Sequence, residues 1–370
     1  MRTILYLYPE SKPSISHKLA GIYAFAHGRD WNLQAIEGEL SGKKIKALLA
    51  FWQPDGVIVE CGAVANPPQT DFFCKTPVVF LDRNPKTIDH PAFCVTHDSS
   101  ATAQMATKEL LSLSLSFYAF VPYVEQRFWS DEREVGFADA LKLNGKGYAR
   151  FNFHNKPNDP LALQSQLGEW LSSLPKPVGI FAANDQMAGE VLAAARHTGI
   201  SVPGEAAVIG VDNNEMLCEN TIPSLSSVVA DFVTAGKMAA QMLSERLAKA
   251  RIKPHTATFG PLRLVRRAST MHTEKSDAEV LAAQDLIRRR ACEGLKAREV
   301  CALFPCSRRM AEIRFRAATG HSILSEIQDV RRAKAEELLK NPNLDRTAVA
   351  NFCGYSSANA LANFLRRNQR

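Results

Sequence analysis

Short apolar runs and longer amphipathic stretches alternate along the first 270 residues. The runs at 2–8 (RTILYLY), 31–37 (WNLQAIE), 56–60 (GVIVE), 78–81 (VVFL), 117–121 (FYAFV), 178–183 (VGIFAA) and 206–211 (AAVIGV) read as strands. Between them, apolar residues recur every three to four positions. That spacing predicts helices over 14–28, 42–51, 99–113, 131–143 and 185–198, the third capped by Asp98 and the last closed by Gly199. Strands this short, joined by helices of this length, imply parallel sheets covered by helices. There are too many units for one sheet. The expectation is an α/β domain over residues 1–270, two-lobed and built from doubly wound parallel sheets.

The pattern changes after residue 270. The segment 271–278 (MHTEKSDA) is polar and reads as a linker. From 279 to 370 the period is helical almost throughout. A helix over 276–293 is followed by a short one over 297–303, a turn at Phe304-Pro305-Cys306, and a helix opened by Ser307 and closed by Gly320. A long helix over 323–340 runs to Pro342. The plan then repeats: LDRTAVANF, a turn containing Gly354, and SSANALANFLRR. Two helix-turn-helix units joined by one long helix make an all-α second domain.

Charge separates the same two regions. The chain carries 45 Lys+Arg and 38 Asp+Glu, a net charge of +7. From Lys275 to Arg370 there are 18 basic and 11 acidic side chains, an excess equal to that of the whole chain. The first three quarters are therefore neutral, and the basic quarter points to a polyanionic partner. The eight cysteines include no C-x-x-C pair, which fits single thiols in a reducing compartment. The longest uncharged apolar stretch, Leu110 to Val124, is too short for a membrane helix, and residues 1–9 lack the features of a signal peptide. A cytoplasmic, nucleoid-associated protein with no membrane contact is expected.

Familiar catalytic signatures are missing. There is no Gly-rich phosphate loop after a strand, no G-x-S-x-G and no H-E-x-x-H. Neither an enzyme, a metal site nor a cofactor is expected. Ligands of doubly wound sheets bind beyond the carboxyl ends of the strands. Asp82 and Arg83, Asn184 and Asp185, and Asp212 and Asn213 directly follow strand runs. Each pair can instead cap a helix or make a turn.

The stretch FAANDQMAGEVLAAARHTGISVPGEAAVIGVDNNEM at 181–216, with IPSLSSVV at 222–229, resembles the core of LacI/GalR-type effector domains, which share the fold of periplasmic sugar-binding proteins (type I). FWSDEREVGFADAL at 128–141 and THDSSATAQMATKELL at 96–111 resemble two further helices of that family. The C-terminal elements SRRMAEIRFR…TG, DVRRAKAEELL and VANFCGYSSANALANFLRR resemble the AraC/XylS-type DNA-binding domain. An effector domain followed by such a head resembles the group of xylose operon regulators. The final helix usual after FLRR in that domain does not follow within the 370 residues, and Ile313 stands where the family often has Arg.

The resemblance implies a regulator whose cleft binds a small sugar, xylose or another pentose, with a non-sugar polar ligand as the alternative. Arg133, Asn184 and Asp212 match positions that hydrogen-bond sugar hydroxyls. Trp129 is the candidate for stacking on the sugar, and Asp82 and Asp98 are further candidates, Asp98 also as a helix cap. For DNA, Arg308, Arg309 and Glu312 of the first unit and Ser357, Asn359 and Asn363 of the second are candidates for base edges. Arg314, Arg316, Arg366 and Arg367 are candidates for phosphates. The partners implied are operator DNA, a sugar effector, a second copy in a homodimer, and RNA polymerase.

Overall fold

The computed structural model describes the chain except residues 89, 114, 155–158, 249–251, 272–277, 342–343 and 368–370. The first lobe contains β1 (Arg2–Tyr8), α1 (Pro13–Ala26), β2 (Trp31–Glu37), α2 (Gly42–Trp52), β3 (Gly56–Glu60), β4 (Val78–Leu81) and β5 (Phe93–His97). The chain then crosses into a second lobe. It comprises α3 (Ser99–Ser112), β6 (Phe117–Val121), α4 (Phe128–Leu143), β7 (Ala149–Arg150), α5 (Pro160–Ser173), β8 (Val178–Ala182), α6 (Asp185–His197), β9 (Ala206–Val211), α7 (Glu215–Asn220) and β10 (Ser226–Ala230). It returns to the first lobe as α8 (Phe232–Ala248) and β11 (Thr256–Phe259), and crosses once more to β12 (Pro261–Val265).

Each lobe holds one six-stranded sheet. The orders are β11-β5-β4-β3-β1-β2 and β12-β10-β9-β8-β6-β7, parallel except for the antiparallel β10–β12 pair. Strands β3, β4, β5, β8 and β9 are buried along their whole length, as apolar runs covered on both faces must be. The three crossings lie side by side: Asp98 N–H donates to Phe259 O at 2.7 Å, and Asp231 N–H to Gly260 O at 3.2 Å. This is the geometry of a hinge.

In the first lobe, α1 and α8 touch through their backbones. A Cβ on Gly21 would lie 2.0 Å from Val233 O, and one on Gly236 would lie 1.9 Å from Lys18 O. Only glycine permits that approach, and it fixes the turn of α1 that carries Lys18.

The structure differs from the sequence reading in some boundaries and omissions. Helix α4 begins at Phe128, not 131, so Trp129 and Arg133 share one helix. Strands β5, β7, β10 and β11 and helices α5, α7 and α8 were not anticipated. Most of the 271–278 segment lies outside the described residues.

The head consists of α9 (Ala278–Arg290), α10 (Ala297–Cys301), α11 (Arg308–Thr319), α12 (Ile323–Leu338), α13 (Arg346–Phe352) and α14 (Ala358–Arg367). Helix α9 starts at Ala278 and ends in a 3₁₀ turn over Ala291–Glu293. Val280, Ile287, Phe304, Phe315 and Ile327 build one core, and Ala335, Val349, Cys353 and Leu361 a second. Helix α12 contributes to both. Ser307 caps α11, accepting from Met310 N–H at 3.4 Å, and Gly320 closes it at φ 79°.

Candidate functional site

A small cavity lies between the lobes, at the carboxyl ends of β1, β3, β4, β5, β6, β8 and β9. These ends surround the points where each sheet reverses its strand order, where doubly wound sheets bind ligands. The cavity has a volume of about 90 Å³, a size for one small ring. Its lining includes Lys18, Glu60, Asp82, His97 and Phe232 from the first lobe, and Trp129, Arg133, Asn184 and Asp212 from the second.

The first lobe supplies a buried ionic cluster. Lys18 Nζ donates to Glu60 Oε2 at 2.8 Å and to Asp82 Oδ2. All three residues are under 10% exposed. Burial pushes the Glu60 carboxyl up, and Lys18 beside it pulls the other way. Burial also opposes the Lys18 charge, but the two carboxylates outweigh it and hold the ammonium firmly protonated. Asp82 Oδ1 accepts from His97 N–H at 3.1 Å. The backbone of Asp82 is left-handed (φ 49°), a strained choice for a non-glycine residue and one common at functional sites.

The second lobe supplies Arg133 from α4. Its guanidinium donates to Ala183 O and to His97 Nδ1 at 3.0 Å, lies 3.6 Å from Asp212 Oδ1, and sits under the Trp129 ring at 4.9 Å. Its Nε is buried without a partner among the described residues. Because Arg133 donates to His97 Nδ1, that nitrogen is an acceptor, and Nε2 carries the proton shared with Thr102 Oγ1 at 2.9 Å. Burial first, then Arg133 and Lys18, hold the His97 pKa well down. His97 is therefore a fixed neutral tautomer. Asp212 is at φ 103°, and burial raises its carboxyl pKa against the pull of Arg133.

Of the ligand candidates, Arg133, Asn184, Asp212, Trp129 and Asp82 all line this cavity. Asp98 does not; its Oδ1 accepts from Ala101 N–H at 2.8 Å and caps α3, the second of the two readings the sequence offered for it. Asn184 also caps α6, through Met187 N–H at 3.0 Å. Trp129 does more than offer a face: its indole N–H donates to Gly62 O at 2.9 Å, from one lobe to the other. Lys18, Glu60 and His97 were missed by the sequence reading. The usable signal was Lys18, which breaks the apolar stripe of Ile15 and Ile22 at helical spacing.

On the head, Arg308, Arg309 and Arg316 are exposed on α11, and their side chains form no hydrogen bond or ion pair among the described residues. Glu312 is turned inward, its Oε2 accepting from Ile323 N–H at 3.4 Å. Arg314 pairs with Glu279 at 3.2 Å and covers the Phe304 ring, so it ties α11 to α9. Ser357 caps α14 through Ala360 N–H at 3.2 Å. Asn359, Asn363 and Arg366 are exposed, with Arg366 Nη2 donating to Asn363 Oδ1 at 3.1 Å. The side chain of Arg367 lies outside the described residues.

Residues 107–270 match the family model described as "Periplasmic binding protein-like domain". The chain is 30% identical over 263 residues to the xylose operon regulatory protein of Haemophilus influenzae (strain ATCC 51907 / DSM 11121 / KW20 / Rd), covering 70% of this chain and 68% of that one. It is 29% identical over 270 residues to the protein of the same name from Escherichia coli (strain K12), covering 72% and 69%. The solved structure of a xylose-binding transcription activator, XylR, superposes over 100% of this chain and 96% of that one, with TM-score 0.67 and 24% identity. Relatives and fold together define a class: a sugar-responsive transcriptional regulator with an effector domain of the periplasmic-binding-protein kind. The chain belongs to the family of xylose operon regulatory proteins. No helix among the described residues is long and apolar enough to cross a membrane.

Proposed function

We propose that the cleft binds one pentose, xylose first, and that the head binds operator DNA through α11 and α14. The observation that carries the reading is the convergence of Arg133, Asn184 and Asp212 from one lobe with Lys18 and Asp82 from the other on a cavity of monosaccharide size. Sugar hydroxyls need both donors and acceptors. A fork of guanidinium donors, an amide and an anionic carboxylate provide them, with Trp129 and Phe232 as apolar walls. Relatives named for the xylose operon support the choice of sugar.

Exposed arginines on α11 suit guanine edges and phosphates, and Asn359 and Asn363 suit adenine edges. Ligand binding closes the lobes about the hinge and reorients the head. The working unit is a homodimer on operator DNA, acting on transcription through RNA polymerase.

Calorimetric titration of the pure protein with xylose, arabinose, ribose, glucose and adenine tests the cleft. Saturable heat with a pentose is the expected result. Heat with adenine alone would replace the sugar by a nucleobase. Binding to a selected duplex tests the head, where Arg309→Ala should lose affinity at one or two base positions by about 1–3 kcal/mol.

A further inference from the structure

Helix α11 leaves an unusual surface once its engaged residues are set aside. Ala311 and Phe315 are buried in the head's first core. Glu312 is held by Ile323 and Arg314 by Glu279. What remains toward solvent is Arg309, Ile313 and Arg316 along one line, with Met310 and Ala317 beside them and Arg308 at the start of the helix. Ile313 is 50% exposed and Met310 47%.

A single exposed isoleucine means little on its own. This one sits one turn from Arg309 and one turn from Arg316, so its neighbours along the helix face are cations. Residues three and four apart on a helix reach the same patch of a partner. That partner must be anionic at its rim and apolar at one point in its centre. The major groove of duplex DNA has that character: phosphates flank it, and the C5-methyl of thymine is the apolar group on a base edge there. Isoleucine is also stiff at χ1, so its methyl groups are presented in one arrangement.

We propose that Ile313 is a specificity-determining residue that reads a thymine methyl group, with Arg309 and Arg316 seating the helix on either side. The inference rests on the DNA-binding reading above and adds the base and the atom that are read.

The test starts from duplexes enriched from a random-sequence pool by the full chain, with xylose present and absent. Each thymine of the enriched site is replaced in turn by deoxyuridine, which deletes the methyl and leaves pairing intact. Replacement at one position, or two adjacent ones, should weaken binding about three- to five-fold, the equivalent of one buried methyl group. Ile313→Ala should bind the thymine duplex with a similar loss and show no further loss with deoxyuridine at that position. Ile313→Val, which keeps a branched methyl surface, should retain the sensitivity. 5-Methylcytosine should bind better there than cytosine.

If deoxyuridine at every thymine leaves wild-type affinity unchanged, the inference is overturned while DNA binding stands. So it is if Ile313→Ala keeps the same sensitivity. If no duplex is enriched under either condition, DNA binding itself fails and takes the inference with it.

Discussion

Arg288, on the first helix of the head, donates from Nη1 to the hydroxyl of Ser224 in the second lobe at 2.5 Å. The next residue, Arg289, donates to Thr221 O at 2.6 Å. Both acceptors follow α7, whose N-terminal loop begins at cleft residue Asp212. On the other side, α9 holds Glu279, which pairs with Arg314 on α11. A packed series of contacts therefore joins the cleft to α11. Ser224→Ala leaves Arg288 Nη1 without this acceptor while keeping the backbone. The expected outcome is an unchanged sugar affinity and a fall in ligand-dependent change of operator affinity by about 1 kcal/mol. Fluorescence anisotropy on a labelled duplex, with and without sugar, measures it. Lost sugar affinity with coupling intact would place Ser224 in lobe packing only.

Trp129 offers a second, independent prediction. Its N–H to Gly62 O joins the lobes at the cleft mouth, and Arg127 Nη2 to Ala63 O at 3.3 Å lies beside it. Trp129→Phe keeps an aromatic face and removes the donor. Closure then lacks one hydrogen bond, and sugar affinity should fall by about 1 kcal/mol, roughly five-fold. Calorimetry should show the loss without a matching change in thermal stability. A wild-type affinity would mean the bond is worth the same with the cleft empty and filled, and a gain in affinity would mean it forms only in the empty cleft.

The Lys18 cluster should be a major term in the stability of the first lobe. Lys18→Met removes the cation between Glu60 and Asp82 and leaves two carboxylates buried side by side. Breaking a buried pair from one side costs about 3–5 kcal/mol. Urea denaturation should show that loss for Lys18→Met. Lys18→Arg should lose less, keeping the charge but not the shape. A loss under 1 kcal/mol would mean that the carboxylates take up protons or admit water at little expense.

How much of this was legible in the sequence depended on the kind of signal. Strands buried on both faces, such as GVIVE and AAVIGV, declare themselves by continuous apolar runs. Of the polar residues after such runs, Asp82, Asn184 and Asp212 line the cavity, while Arg83, Asp185 and Asn213 do not. Helix α8 was not read because it lies outside the simple alternation, crossing back to the first lobe to pack on α1. The roles of Glu312 and Arg314 were not readable either. Both look like groove-facing residues by helical spacing, and only the packing of α9 and α12 around α11 turns them inward. Trp129 as an interlobe donor needed the two lobes set side by side, since Gly62 lies 67 positions away in the chain.

Asp185, directly behind cleft residue Asn184, makes a pH-dependent prediction. It is 2% exposed and accepts from Ser227 Oγ at 2.5 Å, Asn214 N–H at 2.7 Å and Cys218 Sγ at 3.4 Å. Burial, then the nearby Asp212 charge, push its carboxyl from an ordinary 3.8 to about 7, against those hydrogen bonds. The folded protein thus keeps a proton that the unfolded chain releases. The stability from this site is fully present below about pH 4 and is lost as pH rises through 7, by an amount on the order of a few kcal/mol. Asp185→Asn resembles the protonated acid: its carbonyl can accept from Asn214 and its amide can donate to Ser227. The variant should match the wild type near pH 5 and remove much of the decline between pH 5 and 8, followed by calorimetric melting across that range. Parallel declines in both proteins would assign the slope to other groups and place the Asp185 titration below the window.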